Sequence, residues 1–354
     1  MINVGVVGCG YWGPKLIRNF YELPDSNLAV VCDQDTSKLK QIQKQYPQAM
    51  TTGRFDDLMK DNIDAVVIAT PVNTHYTLVK NALNQGKHVL VEKPMTDSSV
   101  KARELIDLAA AKNRILMVGH IYEYHPAVSY LKRIIGNGDL GEIYSIDAHR
   151  LNLGLFRPDV NVLWDLGPHD ICIMLAIMNQ EPVSVSARGS GHLDPHLCDL
   201  AYLELIFPNG TSAHIHLSWL DPRKIRQITI IGSKKMAFYD DVAEAEKIYL
   251  YDKGCAFSTC NGNSSSWAPH YRFGDVTIPF ISNSEPLKLE CDHFLSCIRT
   301  GATPKTDGLA GLKVIRILEA ANESLLHDGR RISLRPLNVT PRAEVAAKEF
   351  IEVK

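Results

Sequence analysis

The stretch Gly8-Cys9-Gly10-Tyr11-Trp12-Gly13 constrains this chain more than any other. It follows directly on Asn3-Val4-Gly5-Val6-Val7, an apolar run with the length and β-branching of a buried parallel strand. After it the pattern turns helical from Pro14, with Leu16, Ile17 and Phe20 on one face. Proline is tolerated there because the first helical turn has no partner for its N–H. In G-x-G-x-x-G each glycine has a task. Gly8 allows the tight turn, Gly10 lets the backbone approach a pyrophosphate, and Gly13 lets helix and sheet pack closely. Phosphates at such a helix N-terminus meet free N–H groups and a favourable dipole, with Tyr11 and Trp12 beside them. A second run, Leu28-Ala29-Val30-Val31-Cys32, ends at Asp33, about 20 residues past Gly13, where a carboxylate meets an adenosine ribose. A glycine-rich turn alone is commonplace. Strand, glycines, helix, strand and terminal acid in this order predict a dinucleotide site. Asp33 accepts ribose hydroxyls and repels a 2′-phosphate, and Gln34, Asp35, Thr36 and Ser37 contain no Arg, so NAD is expected over NADP.

A chain of 354 residues suggests about two domains, each able to bury a core. Its 38 Lys plus Arg against 40 Asp plus Glu leave a net charge of −2, with no basic run for nucleic acid or a membrane surface. Met1-Ile2-Asn3-Val4 lacks a basic leader, and no apolar stretch approaches ~18 residues, so no membrane span is expected. The eight cysteines are scattered and read as reduced thiols of a cytoplasmic protein.

Further along, Lys38 to Tyr46 reads as a polar amphipathic helix, and Arg54 to Met59 begins another. Ala65-Val66-Val67-Ile68-Ala69 is a buried strand ending in Thr70-Pro71, with Asn73 and His75 close behind. Ligands of open α/β sheets bind beyond the carboxyl ends of strands, which puts Thr70 to His75 at the cofactor. The competing reading is a plain strand-to-helix loop with Pro71 as turn former. The next helix carries Tyr76, Val79, Ala82 and Leu83 and stops at Gly86. His88-Val89-Leu90-Val91 leads into Glu92-Lys93-Pro94. A lysine at a buried strand end, close to an oxidised nicotinamide, has its cationic form disfavoured, as proton transfer at neutral pH requires. The alternative is an ion pair between Glu92 and Lys93. A helix from Ser98 to Lys112 and a strand from Ile115 to Val118 finish a first domain, residues 1–120.

The βα alternation then stops. Ile143 to Arg150, Val183 to Arg188, Leu200 to Phe207, Thr211 to Ser218 and Arg226 to Ile231 read as strands. They predict an antiparallel sheet, hence an α+β domain over residues 121–336 after an α/β one. One helix interrupts them, from Asp165 to about Met178. Asp165 and His169 lie four apart and share a face, which suits holding a sugar hydroxyl and moving its proton. Equally, Asp165 reads as an N-cap and His169 as a satisfied partner. His192, His196 and Cys198 sit among Gly, Pro and Asp with no fourth ligand, and Cys255 to Cys260 has the wrong spacing for zinc, so no metal is expected. Residues 254–266 read as an exposed loop. Leu287 to Thr300 and Leu309 to Leu326 read as helices packing back on the first domain, before a polar tail at 337–354.

Taken together, Gly8 to Gly13, Ala69-Thr70-Pro71 with His75, Glu92-Lys93-Pro94 and Asp165-x-x-x-His169 resemble the Gfo/Idh/MocA oxidoreductase family over roughly residues 2–326. The resemblance implies an α/β Rossmann domain followed by an α+β domain with a large, open, mostly antiparallel sheet, through which members form dimers or tetramers. It also implies Lys93 near the reacting carbon, His169 as proton acceptor and Asp165 positioning substrate, with Gly8, Gly10, Tyr11, Trp12, Gly13, Asp33, Thr70, Pro71, Asn73, His75, Glu92 and Lys93 at NAD. Within the family, the stretches Arg150 to Arg157, Asn161 to Asp165 and Ser218 to Lys224 are most similar to enzymes that oxidise C3 of UDP-N-acetylglucosaminuronic acid for surface polysaccharides. Arg150, Asn152, Arg157 and Asn161 are then substrate candidates beside Asp165 and His169. Arg223 and Lys224 join Arg150 and Arg157 as cations for a uronate and a diphosphate, the alternative for these four being ordinary surface charge.

Overall fold

The computed structural model describes residues 1–158, 160–257 and 269–337. The readings for Cys260, for the rest of 258–266 and for the tail beyond 337 lie outside the described residues. The first domain runs β1 (Ile2–Val7), α1 (Gly13–Glu22), β2 (Ser26–Cys32), α2 (Thr36–Gln45), β3 (Met50–Thr52), a 3-10 turn (Phe55–Met59), β4 (Ala65–Ile68), α3 (Val72–Asn84), β5 (His88–Glu92), α4 (Ser99–Ala111) and β6 (Leu116–Gly119). Its six strands are all parallel, in the order β3-β2-β1-β4-β5-β6. Every side chain of β4 and β6 is buried, as expected of strands covered by helices on both faces. The chain leaves β1 in one direction and resumes at β4 on its other side. That reversal opens a crevice beyond the strand ends, where Gly8, Thr70 and Lys93 emerge.

The second part contains a 3-10 turn (Ile121–Tyr124), α5 (Pro126–Gly136), β7 (Ile143–Leu153), α6 (Val162–Met178), β8 (Ser184–Ser190), β9 (Leu200–Ile206), β10 (Ser212–Ser218), β11 (Leu220–Gly232), β12 (Met236–Asp240), β13 (Ile248–Phe257), β14 (Pro269–Thr277), α7 (Pro286–Thr300), α8 (Gly308–Leu326) and β15 (Ile332–Ser333). Among the described residues these strands form one nine-stranded sheet, ordered β14-β13-β12-β11-β7-β10-β9-β8-β15. Only β7 and β10 pair in parallel there; the other neighbours are antiparallel. Ile146, Ala148, Leu203, Leu205, Ile215 and Leu217 point into the core with α5, α6 and α8. Their strand neighbours Asp147, His149, Tyr202, Glu204, His214 and His216 take the opposite face, as the period of two requires.

Two expectations need correction. Residues 254–257 belong to β13 rather than to a loop, and β12 and β14 went unread. The nine residues of β14 are all exposed, so no apolar alternation marked it. The helices α7 and α8 do return to the first domain. Phe294 of α7 meets Phe20 of α1 edge-on at 6.4 Å, α8 packs on α4, and Thr306 between them bonds Val118 of β6 through both its carbonyl and its hydroxyl at 2.8 Å.

Candidate active site

The glycine turn has the geometry its composition requires. Gly8 adopts φ +100°, and a Cβ there would lie 2.4 Å from the Ala69 carbonyl oxygen. At Gly13 a Cβ would fall 1.9 Å from the Gly8 oxygen, so helix and turn touch main chain to main chain. A Cβ on Gly10 would meet nothing within 4 Å, leaving that backbone open to a ligand. No side chain caps the start of α1; Pro14 has no N–H, and the Lys15 and Leu16 N–H groups donate to the Trp12 carbonyl at 3.0 and 3.3 Å, so a phosphate there would meet the helix dipole and the open main chain at Gly10. Asp33 caps the tip of β2. Its Oδ2 accepts the Cys9 N–H at 2.5 Å and Oδ1 accepts the Asp35 N–H at 2.8 Å, which ties the acid to the turn. The Cys9 thiol is pushed up to about 12 by burial and is inert. Tyr11 stands in solvent and stacks on Trp12, with Lys15 Nζ 4.0 Å and 4.4 Å from the two ring centres. These residues fit NAD, which supplies a hydride acceptor when bound.

The second wall is built from the ends of β4 and β5. Pro71 and Asn73 are exposed at the start of α3. Thr70 Oγ1 lies 2.7 Å from Thr74 Oγ1. His75 is buried, with Nδ1 2.9 Å from the Pro94 oxygen and Nε2 2.8 Å from the Thr70 oxygen. Its ring nitrogens thus face main-chain carbonyls, and it braces the two loops that flank the crevice. Glu92 accepts the Lys93 N–H at 3.2 Å, and its carboxyl group lies against Gly119, where a Cβ would come within 3.1 Å. Burial pushes the Glu92 carboxyl up to about 7, against the pull of Lys93. Lys93 aims elsewhere: its Nζ donates to the Asp165 carbonyl at 2.8 Å. Burial lowers its proton affinity, opposed by Asp165 and Glu92 and assisted by Arg150 and Arg157.

The third wall is α6. Asn161 is its N-cap, accepting the Trp164 N–H at 3.0 Å, while its amide reaches Asn322 at 3.3 Å. The cap is therefore not Asp165. That carboxylate receives the Trp219 indole N–H on Oδ2 at 3.1 Å and faces Arg157 from Oδ1 at 3.5 Å. His169, one turn later, meets the Tyr122 ring edge-on at 5.3 Å. Burial, then the cations Lys93 and Arg150, hold its imidazole well below the usual range, so it is neutral near pH 7. Pro168 lies inside this helix and lacks the N–H that Trp164 would receive, an irregularity tolerated beside the site.

Arg150 departs from expectation. It is buried, with Nε and Nη2 on the Asp170 carboxylate at 2.5 and 3.1 Å and Nη1 on the Tyr122 hydroxyl at 2.9 Å. A guanidinium so occupied is part of the framework under His169 rather than an anion receptor. Arg223 and Lys224 are exposed on β11, and the Asn152 amide packs beside Gly154. Trp219, Tyr122 and Asp170 were not singled out as site residues. Trp219 lies in the stretch Ser218 to Lys224 and Asp170 follows His169, but Tyr122 carried no signal, and nothing in spacing reveals a partner across the fold. His192 pairs with Asp199 at 2.8 Å, and among the described residues no cluster of His, Cys, Asp and Glu could hold a metal. Nor is any described helix long and apolar enough to cross a membrane.

Thr70, His75 and Lys93 from one domain and Arg157, Trp164 and Asp165 from the other line a single crevice. A larger hollow of about 420 Å³ lies on the outer face of the second sheet, between Asp147, Tyr202 and His214. It contains none of the groups gathered around Lys93. The crevice, although small, is where strand ends, Lys93 and Asp165 converge, as expected at the switch point of an open sheet, and His169 lies one helical turn beyond Asp165.

Comparison with known proteins agrees with this architecture. The oxidoreductase family with NAD-binding Rossmann fold, GFO_IDH_MocA, matches residues 2–120, and the GFO/IDH/MocA C-terminal domain matches residues 128–238. The chain is similar to the UDP-N-acetylglucosamine 3-dehydrogenase of Acidithiobacillus ferrooxidans, with 28% identity over 89% of this chain and 94% of the relative. A solved structure of that enzyme covers 92% of this chain and 97% of its own, with a TM-score of 0.77 and 25% identity. An uncharacterized oxidoreductase of Escherichia coli, YdgJ, is 31% identical over 67% of this chain and 68% of its own. The scyllo-inositol 2-dehydrogenase (NAD(+)) of Bacillus subtilis is 24% identical over 86% and 88%. Fold, glycine turn and full-length likeness converge, and the chain belongs to the GFO/IDH/MocA family of NAD-binding oxidoreductases.

Proposed function

We propose that this protein oxidises the C3 hydroxyl of a nucleotide-linked sugar to the ketone, with UDP-N-acetylglucosaminuronic acid as substrate, in the cytoplasmic synthesis of surface polysaccharide. The observation that carries the chemistry is the bond from Lys93 Nζ to the Asp165 carbonyl, which sets an amine and a carboxylate on one crevice, with a neutral imidazole one helical turn on. In this reading His169 accepts the hydroxyl proton, and NAD held at the glycine turn and Asp33 would supply the acceptor for the C3 hydride. Lys93 stabilises the developing alkoxide, and Asp165 holds the hydroxyl in line. Arg157, Arg223 and Lys224 meet the diphosphate and the uronate. Likeness to a UDP-N-acetylglucosamine 3-dehydrogenase supports the sugar nucleotide and the C3 position. A homodimer or homotetramer completes the proposal, its contact covering the outer sheet face where Tyr144 and Tyr202 are exposed.

The test is the nicotinamide absorbance of purified protein with NAD and, in turn, the uronate, UDP-N-acetylglucosamine, inositol and free glucose. A rise with the uronate, absent with inositol and glucose, supports the proposal. A preference for UDP-N-acetylglucosamine corrects the group at C6. Oxidation of inositol or glucose alone overturns the nucleotide sugar. Dinucleotide binding with no turnover on any of them identifies a non-catalytic regulator.

A further inference from the structure

The side chain that sets Asp165 is not on its helix. Trp219 joins β10 to β11 and is 2% exposed, among the largest buried side chains of the protein. Its indole N–H donates to Asp165 Oδ2 at 3.1 Å. The Trp219 main chain is held on both sides, its N–H on the Asp199 carbonyl and its own carbonyl receiving the Gly154 N–H, each at 3.0 Å. Gly154 fits directly against the indole, where a Cβ would lie 3.2 Å from Cδ1. Two residues on, Phe156 meets the indole edge-on at 5.2 Å, and Arg157 then faces the other Asp165 oxygen at 3.5 Å. Behind this sits the segment whose histidines and cysteine drew attention as metal ligands. The Asp199 carboxylate, with no exposed surface, accepts the His192 and Leu193 N–H groups at 2.7 and 3.0 Å and lies 2.8 Å from His192 Nδ1. The preceding Cys198 carbonyl receives the Val162 N–H at 2.9 Å, so the same loop braces the start of α6.

We propose that Trp219 is a positioning residue of the active site: its indole N–H fixes the Asp165 carboxylate, and its main chain and ring fix the loop that brings Arg157 to that carboxylate. The proposal rests on the reading that Asp165 meets the substrate hydroxyl. A carboxylate offers about four acceptor positions. With one oxygen on the indole and the other facing Arg157, rotation is stopped, and the remaining positions serve the crevice. Misplacing such a group by about 1 Å can lower a rate by about 100-fold.

Trp219→Phe keeps the ring and removes the N–H. With NAD and the sugar the enzyme oxidises, kcat should fall by about 10- to 100-fold, while NAD affinity stays within about twofold. In an Asp165→Asn background the same change should add little, because the group it positions is gone. Unchanged kcat in Trp219→Phe, or full additivity with Asp165→Asn, would overturn the proposal. A second measurement needs neither substrate nor the Phe variant. In the amide spectrum of the protein with Trp219 intact, Asp165→Asn should shift one of the four indole N–H signals, identified as that of Trp219 by a nearby spin label. A Trp219 indole signal unmoved by Asp165→Asn refutes the contact, even if the wild-type protein oxidises none of the sugars and the substrate reading has failed by itself.

Discussion

Lys93 Nζ donates to the main-chain carbonyl of Asp165 at 2.8 Å, across 72 residues of sequence. Through it the end of β5 in the NAD-binding domain is bonded to α6 of the second domain. The acceptor is a backbone oxygen, so the bond survives any conservative change at position 165 and depends on where the helix runs. Replacing Lys93 with Ala removes the cation and leaves the glycine turn untouched. NAD affinity should stay within about threefold, while alcohol oxidation falls by about 10²- to 10⁴-fold. Titration of cofactor fluorescence alongside steady-state rates checks both, and activity equal to wild type would remove Lys93 from the chemistry.

Asp33 both closes the turn through Cys9 and presents its carboxylate at the tip of β2. Asp33→Ala should weaken NAD and narrow the preference over NADP, since the group that repels a 2′-phosphate is lost. Dissociation constants for the two cofactors decide the matter. An unchanged ratio would mean that the ribose is met by another residue.

Arg150 and Asp170 form a buried bidentate pair. Arg150→Met alone strands a buried carboxylate and should destabilise the protein by about 3–5 kcal/mol, whereas Arg150→Met with Asp170→Leu should recover more than half of that loss. Urea unfolding measures both. A raised KM with unaltered stability would instead return Arg150 to the substrate.

His120 is buried, and neither ring nitrogen has a partner among the described residues. Burial, with the Lys93 cation beside it, lowers its pKa to about 4 from the ordinary 6.5. Between those values the unfolded chain binds the proton and the folded one does not. Its contribution is therefore fully present above pH 6.5 and is lost as pH falls toward 4. His120→Gln should reduce the acid-side drop in Tm across that window relative to the parent. Parallel curves for the two proteins would show that His120 is not a buried neutral imidazole.

His169 gives a kinetic counterpart. Burial and the cations Lys93 and Arg150 depress its protonation, so the acid limb of kcat/KM for alcohol oxidation should lie below pH 6.5. His169→Asn should abolish that limb along with most of the rate. A limb at 6.5 or above in the wild-type profile would point to a different acceptor.

Local patterns alone determined the first domain and the nature of its ligand. Turn, strand and helix are decided within a few residues, and the close contacts at Gly8 and Gly13 are short-range steric facts that glycine spacing records directly. Asp165 and His169 were legible for the same reason, as neighbours on one helical turn. What those side chains face is another matter. That Lys93 meets a carbonyl, that Arg150 serves Asp170, and that Trp219 reaches Asp165 all follow from packing between distant elements. Strand β14 escaped for a related reason. A strand exposed on both faces carries no hydrophobic alternation, and only pairing with its neighbours gives it a place. Side-chain chemistry is written residue by residue, but a hydrogen-bond partner across the fold is chosen only when the core closes and removes water as the competitor.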